Sequence, residues 1–196
     1  MLRVLTLSTL YPDSARPAFG LFVERQTVAL AARPGVEVAV AAPVGLPLWP
    51  LALHPHYRAR AQLPAKERRA GLAVYRPRFR VWPGVGEAGR ARALARAVLP
   101  LARALPCDVI DAEFFWPDGP AAMHLAEALG VPFSIKARGS DITFWGTRPR
   151  IAAQIAAAGE AAAGLLSVSA ALTASRPPAL AAAASICAAT AGRAPQ

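Results

Sequence analysis

DVIDAEFFWPDG (Asp108–Gly119) and SIKARGSDITFWG (Ser134–Gly146) decide how this chain is read. Each opens as a short apolar strand and closes in a polar, glycine-containing turn. A helical stretch, Pro120–Leu129, lies between them. Strand, turn, helix, strand and turn make the βαβ unit of a parallel sheet, with both turns at the carboxyl ends of their strands. Ligands of open α/β sheets bind in the crevice outside those ends, so the polar residues of both loops gather where chemistry would occur.

The pattern repeats outward. Arg3–Ser8 reads as a buried strand, because Val4, Leu5 and Leu7 form a near-continuous apolar run. A loop with Pro12 and Pro17 follows. Gly20 then opens a helix whose Leu21, Val28, Ala29 and Ala32 share one face, and Pro34-Gly35 ends it. Val36–Ala42 is a second buried strand. Pro43–Arg69, with Pro43, Pro47, Pro50, Pro55 and Pro64, reads as irregular. Leu72–Val81 returns to strand, with Arg76, Arg78 and Arg80 on a wet face near an edge.

Glu87–Leu105 reads as a helix that Pro100 kinks or splits. Asp118 is placed to cap the next helix, with Pro120 in its first turn and Gly130 past its end. Strands at Pro132–Ala137 and Leu165–Val168 flank a helix over Arg150–Ala158. This alternation predicts an α/β fold, a Rossmann-like, doubly wound parallel sheet, over residues 1–175. From Arg176 to Gln196 large apolar residues nearly vanish, which predicts a poorly packed Ala/Pro-rich tail.

The formal charge is +10 and the pI about 11.1, which by themselves invite a nucleic acid or an anionic membrane as partner. Yet Lys66 and Lys136 are the only lysines, and the arginines are scattered through an alanine-rich chain. That skew looks like coding bias. The densest stretch, Arg58–Arg80, lacks the repeated basic–aromatic pattern of a single-strand platform, so no nucleic-acid partner is expected. Cys107 and Cys187 stand too far apart for a zinc site, and His54 and His56 are too sparse for any metal. The N-terminus has no secretory pattern and no run is long enough to cross a bilayer, so the expected location is cytoplasmic.

Four ordered motifs carry a family resemblance. Tyr11-Pro12 followed by Gly20-Leu21-Phe22-Val23-Glu24 is similar to a Y-P…G-x-F-V-E start of the first helix. DVIDAEFFWPDG resembles a DVIHAHFAYPDG pattern, and KARGSDITFWG resembles an HGSD loop. LLSVSAAL, Leu165–Leu172, resembles a V-S-x-x-L turn. Together they resemble the N-terminal, acceptor-side domain of the retaining family 4 glycosyltransferases of GT-B fold.

The resemblance implies transfer of a sugar from a nucleotide-sugar donor to a glycan, lipid-linked or small-molecule acceptor, with retention and with neither metal nor cofactor. Gly20 and Arg138 would face the donor phosphate. Glu113, Arg138, Gly139, Ser140 and Asp141 would contact the acceptor. The family often has histidine at positions 111, 113 and 138. Arginine cannot act as a base, so Arg138 suits an anion and the catalytic residue stays unassigned. The family's second, donor-binding domain, with its paired glutamates, has no counterpart in residues 176–196. A chain without it is expected to have little or no activity unless a separate chain supplies that half. The loss of pattern after Ser175 is also what a frameshift or premature stop would produce.

Two rivals remain. Gly84-Val85-Gly86-Glu87-Ala88-Gly89 matches the G-x-G-x-x-G of NAD(P)-dependent oxidoreductases, but it follows an arginine-rich strand closed by Pro83. LPLWPLALHPHYRAR, Leu46–Arg60, sets Trp49, Leu51 and Leu53 before Arg58 and Arg60, as a noncatalytic acceptor- or membrane-binding module would. It would also suit peripheral contact with the inner face of a membrane.

Overall fold

The structure is a computed structural model, and it describes residues 1–82 and 86–167. Its main sheet has seven strands. These are β1 (Leu2–Leu7), β2 (Val36–Ala41), β4 (Lys66–Arg69), β5 (Leu72–Tyr75), β7 (Val109–Ala112), β8 (Phe133–Ala137) and β9 (Gly164–Ser167), in the spatial order β4-β5-β2-β1-β7-β8-β9. All neighbours are parallel except the edge pair β4–β5. The order runs outward in both directions from β1, the doubly wound arrangement expected from the alternation of strands and helices.

Two apolar layers cover the sheet. Helices α3 (Arg90–Ala104), α4 (Asp118–Leu129) and α6 (Pro149–Ala161) bury Leu94, Val98, Leu125 and Ile155 against Leu5, Leu7, Ile110 and Ile135. On the other face α1 (Leu21–Ala31) sets Val23 among Tyr11, Val40, Val74 and Phe114. The strict alternation of a strand explains the division, since successive side chains of β1 point to opposite faces. Gly119 on α4 allows close packing, because a Cβ there would lie 3.1 Å from Ile135.

Five expectations need correction. Leu72–Val81 is not one strand. It breaks at Arg76-Pro77, and β6 (Arg78–Val81) leaves the main sheet to pair in parallel with β3 (Val44–Pro47). The chain leaves the main sheet at Pro43 after β2 and again at Pro77 after β5, where proline offers no ladder donor. Arg76 is not on a wet face: it is buried, donating to Glu67 and, at 2.7 Å, to the Pro12 carbonyl.

The proline-rich stretch is more ordered than its composition suggests, for it contains β3, α2 (Pro55–Ala61) and β4. Pro100 does not split its helix, and α3 runs unbroken from Arg90 to Ala104. Asp118 does not cap α4. It is the first residue of that helix, and its carboxyl accepts instead from the Thr9 N–H at 3.1 Å. Of the dinucleotide-like motif, Gly84 and Val85 fall outside the described residues. The rest leads into α3 after β6 of the small sheet, not after the first strand of the main sheet as a dinucleotide fingerprint would. Most of the LLSVSAAL turn, and the stretch read as a tail, also fall outside them.

Candidate active site

The crevice opens at the carboxyl ends of β1 and β7, where the strand order reverses direction. Three loops meet there. Gly20 ends the first of them in the left-handed conformation, φ 76°, and its α-carbon lies so close to the chain that an added Cβ would come 1.6 Å from the Leu10 carbonyl oxygen. Only glycine fits both demands.

The loops after β7 and β8 are tied to each other by charge. Asp111 and Glu113 alternate onto one face, as their spacing predicts, and Lys136 on the neighbouring strand bridges them, reaching Glu113 at 2.6 Å. Ser134 donates to the other oxygen of Asp111 at 2.7 Å. Arg138 pairs with the second oxygen of Glu113 and donates to Gln26 of α1 at 2.6 Å. The guanidinium also lies 5.1 Å from the centre of the Phe22 ring. Both carboxylate oxygens of Glu113 are thus engaged by cations, and the residue is only 1% exposed.

Asp141 is a second tie. Its buried carboxylate accepts from the N–H groups of Gly139 at 2.7 Å, Phe115 at 2.9 Å and Arg138 at 3.1 Å, pinning the two loops together. Gly139 has φ 132° with open space around it, so backbone conformation alone demands glycine there. Ser140 opens α5 (Ser140–Thr143) and faces the crevice.

Asp118 lies beneath the same loops, fully buried and with no ion pair among the described residues. Burial pushes its carboxyl up to about 8, the nearby Glu113 and Asp141 push the same way, and the Thr9 hydrogen bonds only partly oppose them. At neutral pH it is therefore mostly a neutral acid.

Between these loops and the small sheet lies a cavity of about 480 Å³. Its walls carry Phe19, Tyr57, Phe114, Trp116 and Trp145, and three arginines, Arg16, Arg60 and Arg90. Of the residues picked from sequence, Ser140 and Asp141 line it, whereas Gly20, Glu113 and Arg138 lie outside its lining. Phe114, Phe115 and Trp116 are all buried in the core, and of the three Phe114 and Trp116 also reach the cavity wall. Sequence reasoning missed Arg16, Arg60, Arg90, Tyr57 and Trp145, which come from four separate segments. The signals for them were the Leu46–Arg60 run, which holds Tyr57 and Arg60, and the SIKARGSDITFWG loop, which holds Trp145.

Such a site can pack flat apolar rings and hold an anion; the cations already bound to carboxylates serve chiefly to fix the loops. No helix among the described residues is long and apolar enough to cross a membrane. No protein-family model matches the chain. It is 33% identical over 148 residues to the protein of Bacillus subtilis (strain 168) named "Putative teichuronic acid biosynthesis glycosyltransferase TuaC", a match covering 74% of this chain and 38% of that protein. The chain thus spans well under half the length of this relative.

Among solved structures it resembles a sucrose-phosphate synthase from Thermosynechococcus elongatus, with TM-score 0.58 and 11% identity, over 84% of this chain and 42% of that one. It also resembles a "putative UDP-N-acetylglucosamine 2-epimerase from Listeria monocytogenes", with TM-score 0.56 and 10% identity, over 88% and 41% of the two chains. At such low identity these likenesses speak for the fold alone. The sequence similarity is to a glycosyltransferase, and the fold is the Rossmann-like half of a GT-B architecture.

Proposed function

We propose that this chain is the acceptor-side domain of a glycosyltransferase, moving a sugar from a nucleotide-sugar donor to a glycan, lipid-linked or small-molecule acceptor. The observation that carries the reading is the 33% identity with TuaC over 148 residues. A crevice at the switch point, walled by aromatic rings that suit sugar faces, supports it. The finer assignment is to the retaining, metal-independent family 4 enzymes, working in the cytoplasm at the inner face of the membrane.

In this reading Gly20 turns the chain into α1, and the first N–H groups of that helix, with no partner inside it, attract the donor phosphate. Arg138 lies against Phe22 in the same first turn, which favours a shared anion there. Gly139, Ser140 and Asp141 shape the loop that meets the acceptor, and Glu113 orients Arg138 from below.

Replacing the matching stretch of TuaC by residues 1–167 of this chain, then assaying sugar transfer, tests the reading. Transfer by the folded chimera is expected, and its absence would overturn the proposal. The 196-residue chain alone is expected to turn over nucleotide sugar little or not at all. A rate of about 1 per second or more would contradict that.

A second reading has one observation in its favour. Trp49 and Leu53 are 78% and 60% exposed, close to the basic Arg58. A noncatalytic membrane-binding module predicts cosedimentation with anionic vesicles that Trp49→Ala abolishes.

A further inference from the structure

The arginines of the cavity are poorly matched by carboxylates. Arg60, from α2, has a buried Nε with no hydrogen-bond partner among the described residues, and no carboxylate pairs with it there. Burial, and after it the charge of Arg16, lower its pKa, and the Asp13 carboxylate only partly opposes them. Arg16 is paired with Asp13 at 2.9 Å and stacks 4.4 Å from the centre of Phe19. Arg90 has only Glu87, at 4.0 Å, and Arg148 already holds that carboxylate. Asp141, the acid in the cavity wall, is spent on three backbone N–H groups. A half-buried guanidinium whose nearby carboxylate, Asp13, is already paired with Arg16 is poorly compensated, and an anion entering the cavity would relieve that cost.

The geometry constrains which anion. Arg138 and Gly20, the residues proposed above for the donor phosphate, do not line this cavity. Aromatic rings form much of the remaining wall: Trp116 and Trp145 stand with centroids 6.3 Å apart, and Tyr57 and Phe19 lie near the arginines. Flat apolar faces beside an unmatched charge suit a sugar ring that carries a negative group. The volume is within the usual range for a small-molecule site, roughly 300–1,000 Å³.

We infer that the cavity takes an acidic sugar of the acceptor, its carboxylate or phosphate held by Arg60 between Arg16 and Arg90, its ring against Trp116 and Trp145. The word "acceptor" rests on the proposed function; the binding of an acidic sugar does not.

Calorimetric titration of the 196-residue chain with glucose 1-phosphate, glucuronic acid and glucose tests this without any transfer reaction. A failed transfer assay therefore leaves its result standing. At least one of the two acids is expected to bind, and the tighter one identifies phosphate or carboxylate as the group held. Glucose is expected to bind at least tenfold more weakly. Arg60→Gln and Arg90→Gln, each checked for folding by circular dichroism, should weaken the acid about tenfold or more, the usual range for a hydrogen bond to a charged group.

Equal binding of glucose, no binding of either acid, or acid binding untouched by both substitutions would overturn the inference. A fourth titration, with uridine diphosphate, guards against confusion with the donor. If Arg60→Gln weakens that ligand and neither acid, the cavity belongs to the donor and the inference fails.

Discussion

The ladder Asp111–Lys136–Glu113–Arg138 and the cavity arginines lie within one crevice yet treat charge in opposite ways. In the ladder each cation meets a carboxylate, and the side chains of Lys136, Glu113 and Arg138 are almost wholly buried. In the cavity the Arg60 Nε has no hydrogen-bond partner among the described residues, and Arg90 has a distant, shared carboxylate. Closed pairs fix the loops in place. Unmatched charge does not help the fold, and its persistence there points to a ligand. The difference separates residues that build a site from residues that meet its occupant, a distinction that residue type alone does not make.

The comparison can be broken most forcefully at Glu113. Glu113→Gln leaves Lys136 and Arg138 buried with one carboxylate fewer, and such losses cost about 3–5 kcal/mol. Urea unfolding should show it, and a loss below about 1 kcal/mol would mean the ladder is not structural.

Asp118 sharpens the comparison from the other side, as a buried carboxyl with no ion pair among the described residues. Its folded pKa of about 8 exceeds the ordinary value of 3.8, so the folded state holds a proton that the unfolded state releases between those limits. Its contribution is fully present below about pH 4 and is lost as pH rises to about 8, by on the order of a few kcal/mol. Asp118→Asn should remove that fall. If the pH dependence of the difference between wild type and Asp118→Asn is flat, the carboxyl is not protonated in the fold.

The smallest effect on stability is expected at Arg60. Arg60→Gln removes an unmatched charge, so the protein should keep its stability to within about 1 kcal/mol or gain slightly. A loss comparable to that of Glu113→Gln would place Arg60 among the structural charges and erase the contrast.

The strands and helices that carry continuous apolar runs were legible in the sequence. Val4, Leu5 and Leu7 mark β1, Val36–Ala41 marks β2, and the turn glycines and prolines mark the ends of α1 and α4. Around Pro43 and Pro77 the reading failed, because the first proline was taken as loss of structure and the second was read through as if the strand continued. There it marks the place where two strands leave one sheet for another. For the site, the period of a strand correctly put Asp111 and Glu113 on one face. Nothing local in the sequence says that Lys136 and Arg138 already occupy Glu113. Arg16 and Arg90 were invisible for the same reason, and Arg60 was legible only as the end of the Leu46–Arg60 run: a missing partner is a property of the folded surroundings, and these residues lie 30 or more positions apart.

The most direct test of the central claim uses the four tryptophans as reporters. Trp116 and Trp145 line the cavity, while Trp49 and Trp82 are exposed elsewhere, at 78% and 60%. In a ¹⁵N–¹H spectrum of the chain, titration with the tighter-binding of glucose 1-phosphate and glucuronic acid should shift the indole signals of Trp116 and Trp145 and leave those of Trp49 and Trp82 in place. Shifts confined to Trp49 and Trp82, or none at all, would contradict an acceptor site at the crevice.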